Sequence, residues 1–323
     1  MRFVAYGAGA VGGVLAGALA GAGHEVALIA RGEHLAAIRR DGLRVQTPDG
    51  EHTHRLPAVA EPGEVRWRAD DVVLLAVKSM DTAGALRALA AHADAATTVV
   101  CVQNGVANEP AALRMFANVY GVCVILPAAH LVPGVVAAYS APTPGVLDVG
   151  RYPVGGQADA TAEQIAAAFR SAGFRAQARA DIMRWKYAKL LLNLGNAIEA
   201  VCGRDAGNAE AARRARLEGE AALRAAGIGF ASEEEDAAHR GDVLRLRPVA
   251  GAERGGGSSW QSLARGTGSV ESDYLNGEIV LLGRQHGVAT PVNERARQLA
   301  NAYARDRTPP GGLTAEQFLA ACG

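Results

Sequence analysis

The first thirteen residues constrain this chain more than any others. An apolar run, Phe3-Val4-Ala5-Tyr6, leads straight into Gly7-x-Gly9-x-x-Gly12, and an Ala/Leu/Val-rich segment of helical period, Val14 to Ala22, follows. A strand, a tight turn and a helix are expected in that order. Gly7 allows the turn, Gly9 lets the backbone come close to a pyrophosphate, and Gly12 lets the helix pack tightly on the strand. The phosphates then meet a helix N-terminus, where free N–H groups and the helix dipole favour negative charge. Gly7, Ala8, Gly9, Ala10, Val11 and Gly12 are therefore read as the cofactor-binding loop. Three glycines are a weak signal alone in a chain that has 39 of them. Here they open a helix after a strand, and a turn and a second apolar run, Val26 to Ala30, come next; that context carries the reading.

The end of the second strand meets the adenosine ribose in such a fold. An acidic residue there would accept from the 2′-hydroxyl of NAD, whereas this chain has Arg31, which suits the 2′-phosphate of NADP. NADPH is the expected cofactor, with Glu33 near enough to keep NAD open.

With 323 residues, 49% hydrophobic and 20% charged, the chain has room for two domains with real cores. Its formal net charge is zero, so no basic surplus points to nucleic acid or an anionic membrane. No apolar run approaches a membrane span and no signal-like segment precedes the first strand, so a cytoplasmic location is expected. Cys101, Cys123, Cys202 and Cys322 show neither C-x-x-C spacing nor nearby histidine pairs. Buried reduced thiols are expected there, with no metal site and no disulfide framework. Among 33 basic residues only Lys78, Lys186 and Lys189 are lysine. Arg serves as the general cation, so a retained Lys marks a place for a compact ammonium that can give up a proton when buried. Lys186 is read as an incidental survivor of that bias.

Further along, 33–40 reads as helix, and 43–45 and 54–59 as an excursion of short strands. The continuous apolar run Val72 to Val77 has the pattern of a buried parallel strand, and it delivers Lys78-Ser79 to the carboxyl edge of the sheet, where ligands bind. A helix over 82–93 and a strand over 98–102 bring Gln103-Asn104-Gly105 to the same edge. Asn104 can donate to and accept from the nicotinamide end or the substrate, although a turn residue before glycine explains it as well. Closing strands over 119–126 and 133–151, a helix over 165–172 and a last strand over 174–178 complete the alternation. The expected architecture is α/β: a Rossmann-type doubly wound parallel sheet over 1–179, then an all-helical substrate and catalytic domain over 180–323. Helices are expected over 181–202, 208–226, 269–283 and 291–305, and the acidic run Glu233 to Asp236 reads as a solvated helix start.

Lys189, Asn193 and Asn196 stand at i, i+4 and i+7 of one expected helix and so share a face. Leu190, Leu191, Leu192, Leu194 and Ile198 occupy the others. Polar groups on one stripe of an apolar helix are costly to bury unless something meets them, and a substrate with a carboxylate and a carbonyl would; a solvent-facing stripe is the other reading. Glu271, at the start of another expected helix, can be a first-turn carboxylate stabilised by the dipole.

These residues together resemble the ketopantoate reductase (2-dehydropantoate 2-reductase) family. The resemblance runs over nearly the whole chain: Gly-Ala-Gly-Ala-Val-Gly-Gly from Gly7, Val77-Lys78, Gln103-Asn104-Gly105, Lys189-x-x-x-Asn193, Ser258-Ser259, and Glu271-x-Asp273-Tyr274-x-Asn276-Gly277. It implies NADPH-dependent reduction of 2-dehydropantoate to pantoate, a step towards pantothenate and coenzyme A. It implies that Lys189 is the general acid for the carbonyl oxygen, that Glu271 positions substrate and Lys189, and that Asn193 and Ser259 hold the substrate's polar groups. Arg31, Lys78 and Asn104 then fall on cofactor-contacting positions, and Asn104 and Asn196 are also assigned to the substrate. Three departures stand out. The family's second helix asparagine lies four residues after the first, where this chain has Ala197 and places Asn196 one short. Its tryptophan two before the lysine is Tyr187. Its Ser-Ser-x-x-Gln-Asp pattern becomes Ser258-Ser259-Trp260-Gln261-Ser262. The departures bear on the substrate more than on the reaction, so another 2-oxo acid, or a related carbonyl or imine, stays open. A non-catalytic NADP-binding regulator is a further alternative, and a homodimer is left open.

Overall fold

Successive residues of the first strand face opposite layers, and this makes the sheet two-sided. In a computed structural model of the chain, which describes residues 1–153, 159–204 and 207–322, Phe3 and Ala5 enter one apolar cluster with Leu28, Val72 and Leu74. Val4 and Tyr6 enter another with Ile29, Val73 and Leu75. Both faces are covered, as buried parallel strands require. In chain order the strands are β1 (Arg2–Tyr6), β2 (Val26–Ile29), β3 (Leu43–Thr47), β4 (Gly50–His54), β5 (Ala58–Val59), β6 (Asp71–Leu75), β7 (Thr98–Cys101), β8 (Asn118–Ile125), β9 (Ala128–Val132), β10 (Val135–Ala138) and β11 (Val146–Tyr152). Seven form the main sheet in the order β11-β8-β7-β6-β1-β2-β5. The order runs outward both ways from β1, which is the doubly wound plan, and only β11 pairs antiparallel. The other four make a second sheet, β4-β3-β10-β9.

The helix Ala10–Gly21 faces both sheets, and its composition follows from that. It is buried on several faces, and a Cβ on Gly17 would come to 2.5 Å from a Val45 methyl of β3. Small residues all round let two layers close on one helix. The three cysteines Cys101, Cys123 and Cys202 are buried and Cys322 is half-buried; all four are free.

The expected last strand over 174–178 forms only isolated bridges, Arg175 to Val146 and Ala178 to Val149. The Leu147 and Val149 N–H groups do donate to Arg175 and Gln177 carbonyls. The Gln177 N–H, however, goes to the side chain of Asp148 at 3.0 Å, and that diversion interrupts the ladder.

The chain divides into two compact units, Met1–Lys186 with Ser232–Arg254, and Tyr187–Ala231 with Gly255–Gly323. The boundary expected after residue 179 thus falls between Lys186 and Tyr187, inside the helix Ile182–Asn193. Residues 232–254, expected within the helical domain, belong to the first unit. The reason lies in Asp148: this buried carboxylate binds both the Arg179 guanidinium and His239 at 2.7 Å, and Arg184 pairs with Glu235 at 2.6 Å. The acidic run does start a helix, Glu233–Arg240, through a capping box on Ser232, but Asp236 is buried and pairs with Arg240.

The second unit holds the helices Gly195–Cys202, Asn208–Ala225, Ser258–Ala264, Asn276–His286, Pro291–Arg305 and Ala315–Ala320. A single helix was expected over 181–202, but it breaks at Leu194, and the one expected over 269–283 is a 3-10 turn, Glu271–Tyr274, followed by the helix Asn276–His286. Among the described residues no helix is long and apolar enough to cross a membrane.

Candidate active site

The glycine loop joins β1 to its helix at the carboxyl edge of the sheet. Gly7 has φ +103°, and a Cβ there would stand 2.8 Å from the Val77 nitrogen. A Cβ on Gly12 would overlap the Gly7 carbonyl oxygen and come to 2.8 Å from Ala76 Cβ. Gly9 differs, since a Cβ there would meet nothing within 4 Å. It caps the helix Ala10–Gly21 with no side-chain hydrogen bond. Two glycines therefore close the loop on the protein, while the third leaves an uncapped helix N-terminus with open space beside it, which fits a pyrophosphate. Arg31 is exposed at the end of β2, in extended backbone ahead of the helix Gly32–Asp41.

Beneath the loop lies a residue that the spacing does not single out. His34 Nε2 is 2.7 Å from the Ala8 carbonyl, and its Nδ1 accepts from the Gly134 N–H at 2.8 Å. Only the neutral ring protonated at Nε2 satisfies both partners. Burial holds the His34 pKa below its ordinary value, in keeping with that form.

The turns after β6 and β7 are tied together by buried side chains. Gln103 Nε2 donates to the Val77 carbonyl at 2.7 Å and to Thr82 Oγ1 at 2.8 Å. Thr82 donates to Asn108 Oδ1 at 2.8 Å, and Asn108 Nδ2 donates to the Asn104 carbonyl at 3.1 Å and to Ser79 at 3.3 Å. Lys78, Ser79 and Asn104 thus share one braced shelf. Below it Lys186 and Glu109 form an ion pair of 2.8 Å, with side chains 2% and 0% exposed.

In the second unit the groups are side chains on helices. Lys189 is half-buried and Asn193 is 5% exposed, both before the break at Leu194, whereas Asn196 lies after it. The break coincides with Gly195 and with a donor from afar: Asn276 Nδ2 bonds the Leu194 carbonyl at 3.0 Å and Asn293 Oδ1 at 3.0 Å. Asn196 and Glu199 flank the start of the helix Ser258–Ala264. A Cβ on Gly257 would stand 3.0 Å from Asn196 Oδ1 and 2.7 Å from Glu199 Oε2, which accepts the Gly257 N–H at 2.8 Å. Ser259 is buried one residue into that helix, and Glu271 is buried at the head of its 3-10 turn.

The description "Ketopantoate reductase PanE/ApbA" matches residues 3–153, and its C-terminal counterpart matches 181–304. A 2-dehydropantoate 2-reductase of Halobacterium salinarum is 34% identical over 319 residues, 95% of this chain and all of that protein. The chain belongs to the ketopantoate reductase family. A ketopantoate reductase structure from Ralstonia eutropha JMP134 superposes with a TM-score of 0.79 at 30% identity, covering 95% of this chain and 99% of that one. The same fold recurs in a D-mandelate dehydrogenase crystallised with NADH and anilino(oxo)acetate, at TM-score 0.81 and 24% identity over 95% and 99% of the two chains.

As a ketopantoate reductase relative the chain is an oxidoreductase acting on CH–OH groups. The residues singled out in the sequence fall into two sets. The glycine loop, Arg31, Lys78 and Asn104 lie in the first unit, and Lys189, Asn193, Asn196, Ser259 and Glu271 in the second. The i, i+7 relation of Lys189 to Asn196 does not hold as drawn, because the helix is interrupted between them. Thr82, Asn108, Glu109 and His34 carry no signal in the sequence reading, and Gln103 and Asn276 stand there only as members of motifs, without a role of their own. Only the rarity of lysine pointed to a member of this supporting set, and it pointed at Lys186, which had been set aside.

Proposed function

We propose that this chain reduces 2-dehydropantoate to pantoate with NADPH, in the cytoplasm, Lys189 supplying the proton. The bound cofactor supplies hydride to the 2-oxo carbon. The glycine loop binds its pyrophosphate, Arg31 the adenosine 2′-phosphate, and Lys78 and Asn104 the nicotinamide side. As negative charge grows on the substrate oxygen, the Lys189 ammonium hydrogen-bonds it and delivers a proton. Glu271 orients Lys189 and the substrate, and Asn193 and Ser259 hold the carboxylate and hydroxyl. The observation that carries this reading is a half-buried lysine four residues before a buried asparagine, Lys189 and Asn193, in a chain of this family.

A second reading keeps the chemistry and changes the 2-oxo acid. Asn196 favours it: this side chain sits against Gly257 beside Ser259, one position off the family's asparagine, and would present a different set of donors to the substrate.

The test is oxidation of NADPH and of NADH by purified protein with 2-dehydropantoate and a panel of other 2-oxo acids, repeated with Lys189→Ala. Turnover with NADPH and 2-dehydropantoate that drops about 10²- to 10⁴-fold in the variant is expected for loss of a general acid. Turnover confined to another acid selects the second reading. Tight NADPH binding with no turnover on any acid overturns both.

A further inference from the structure

We infer that Glu109 and Lys186 are positioning residues, a buried pair that fixes the peptide before Asn104, as Asn108 fixes the one after it, so that the Asn104 side chain meets the nicotinamide half of the cofactor. The inference rests on the dinucleotide reading above. Lys186 Nζ donates to the Gln103 carbonyl at 2.8 Å and to the Val122 carbonyl at 3.0 Å, and pairs with Glu109 Oε1 at 2.8 Å. The ammonium donates to two backbone carbonyls and sets its charge against the buried Glu109 carboxylate, a compact arrangement that a planar guanidinium would not reproduce. That geometry explains why lysine persists at 186 in a chain that otherwise uses arginine. β8 makes room for it: a Cβ on Gly121 would stand 3.1 Å from Glu109 Oε1 and 3.2 Å from Lys186 Cδ.

A buried ion pair is weak support for stability, because apolar residues of similar volume often replace one without loss. What this pair grips is more telling. The peptide before Asn104 is held through the Gln103 carbonyl by Lys186, and the peptide after it through the Asn104 carbonyl by Asn108. Both ends of the Asn104 residue are therefore fixed, and Gly105, at φ +78°, takes the turn that follows. Asn108 and Glu109 are adjacent on the first turn of the helix Asn108–Leu113. One helix end thus delivers both halves of the brace.

The test compares whole NADPH with 2′,5′-ADP, which carries only the adenosine side. In the double variant Glu109→Leu/Lys186→Met no charge is left unpaired. It should bind 2′,5′-ADP as wild type does, while NADPH affinity and kcat each fall about tenfold or more, the cost of a misplaced nicotinamide contact. Lys186→Arg keeps the charge but not the compact grip on the two carbonyls, so it should show the same split, and it serves if the double variant fails to fold. Glu109→Gln, which keeps an acceptor for Lys186, should restore most of the NADPH advantage over 2′,5′-ADP. A double variant or a Lys186→Arg variant whose NADPH advantage and kcat match wild type overturns the inference. Wild-type protein that binds neither ligand overturns the cofactor reading, and this inference with it.

Discussion

The two sets of candidate residues are built from different materials. In the first unit the glycine loop offers backbone, and its position is set by close approach: Gly7 against Val77 and Gly12 against Gly7 and Ala76. In the second the groups are side chains on helices, and their direction depends on helix phase. Close approach is written into the sequence as glycine. Phase is not, because the break at Leu194 is fixed by Asn276, 82 residues away.

Gly12→Val should therefore have the largest effect. The new side chain meets backbone and a short alanine, neither of which can swing aside. Overpacking of this kind costs about 1–3 kcal/mol or more, and dinucleotide binding should fall beyond detection by titration. A variant that still binds NADPH within a few-fold of wild type would show that the loop is not closed by that contact.

Asn276→Ala probes the helical set. It leaves the Leu194 carbonyl and Asn293 Oδ1 without their donor, at about 1–3 kcal/mol for a buried unmet group. Denaturant unfolding should register that loss, and kcat should fall while NADPH affinity holds. If affinity and kcat fell together, the division of labour between the two units would not stand.

The same contrast governs what the sequence disclosed. Strand β1, its helix and the run from Val72 are written in local patterns, and the doubly wound sheet follows from them. The strand expected at 174–178 was lost to one side chain, Asp148, which intercepts the Gln177 N–H. Residues 232–254 left the helical unit because His239 reaches that same carboxylate. Glu109 and Lys186, 77 positions apart, were invisible as a pair: no local rule relates a residue in a turn-opened helix to one in a later helix. Each failure comes from a buried polar partner distant in sequence, which periodicity cannot report.

Arg31 tests the first set more gently. It is exposed, so its bond to a 2′-phosphate would be charge-assisted but solvated. Arg31→Ala should reduce the preference for NADPH over NADH about tenfold, with kcat on saturating cofactor nearly unchanged. Equal preference before and after substitution would assign the choice of cofactor elsewhere.

The smallest effect concerns His34 and pH. Both ring nitrogens are engaged in the neutral form, and a proton on Nδ1 would face the Gly134 N–H. Burial lowers the folded-state pKa below the ordinary 6.5, so the unfolded chain takes up this proton first as pH falls. The contribution is thus fully present above about pH 6.5 and declines as pH drops through the window below it. His54 and His239 are also lowered by burial and add slope of the same sign. The difference between wild type and His34→Gln isolates one ring. Stepwise denaturant unfolding from pH 7.5 to 5 should give a shallower decline in the variant, and its NADPH affinity should depend less on pH than that of wild type, because the Ala8 carbonyl belongs to the glycine loop. Parallel slopes for the two proteins would mean that His34 supports the loop by shape alone and not by its protonation state.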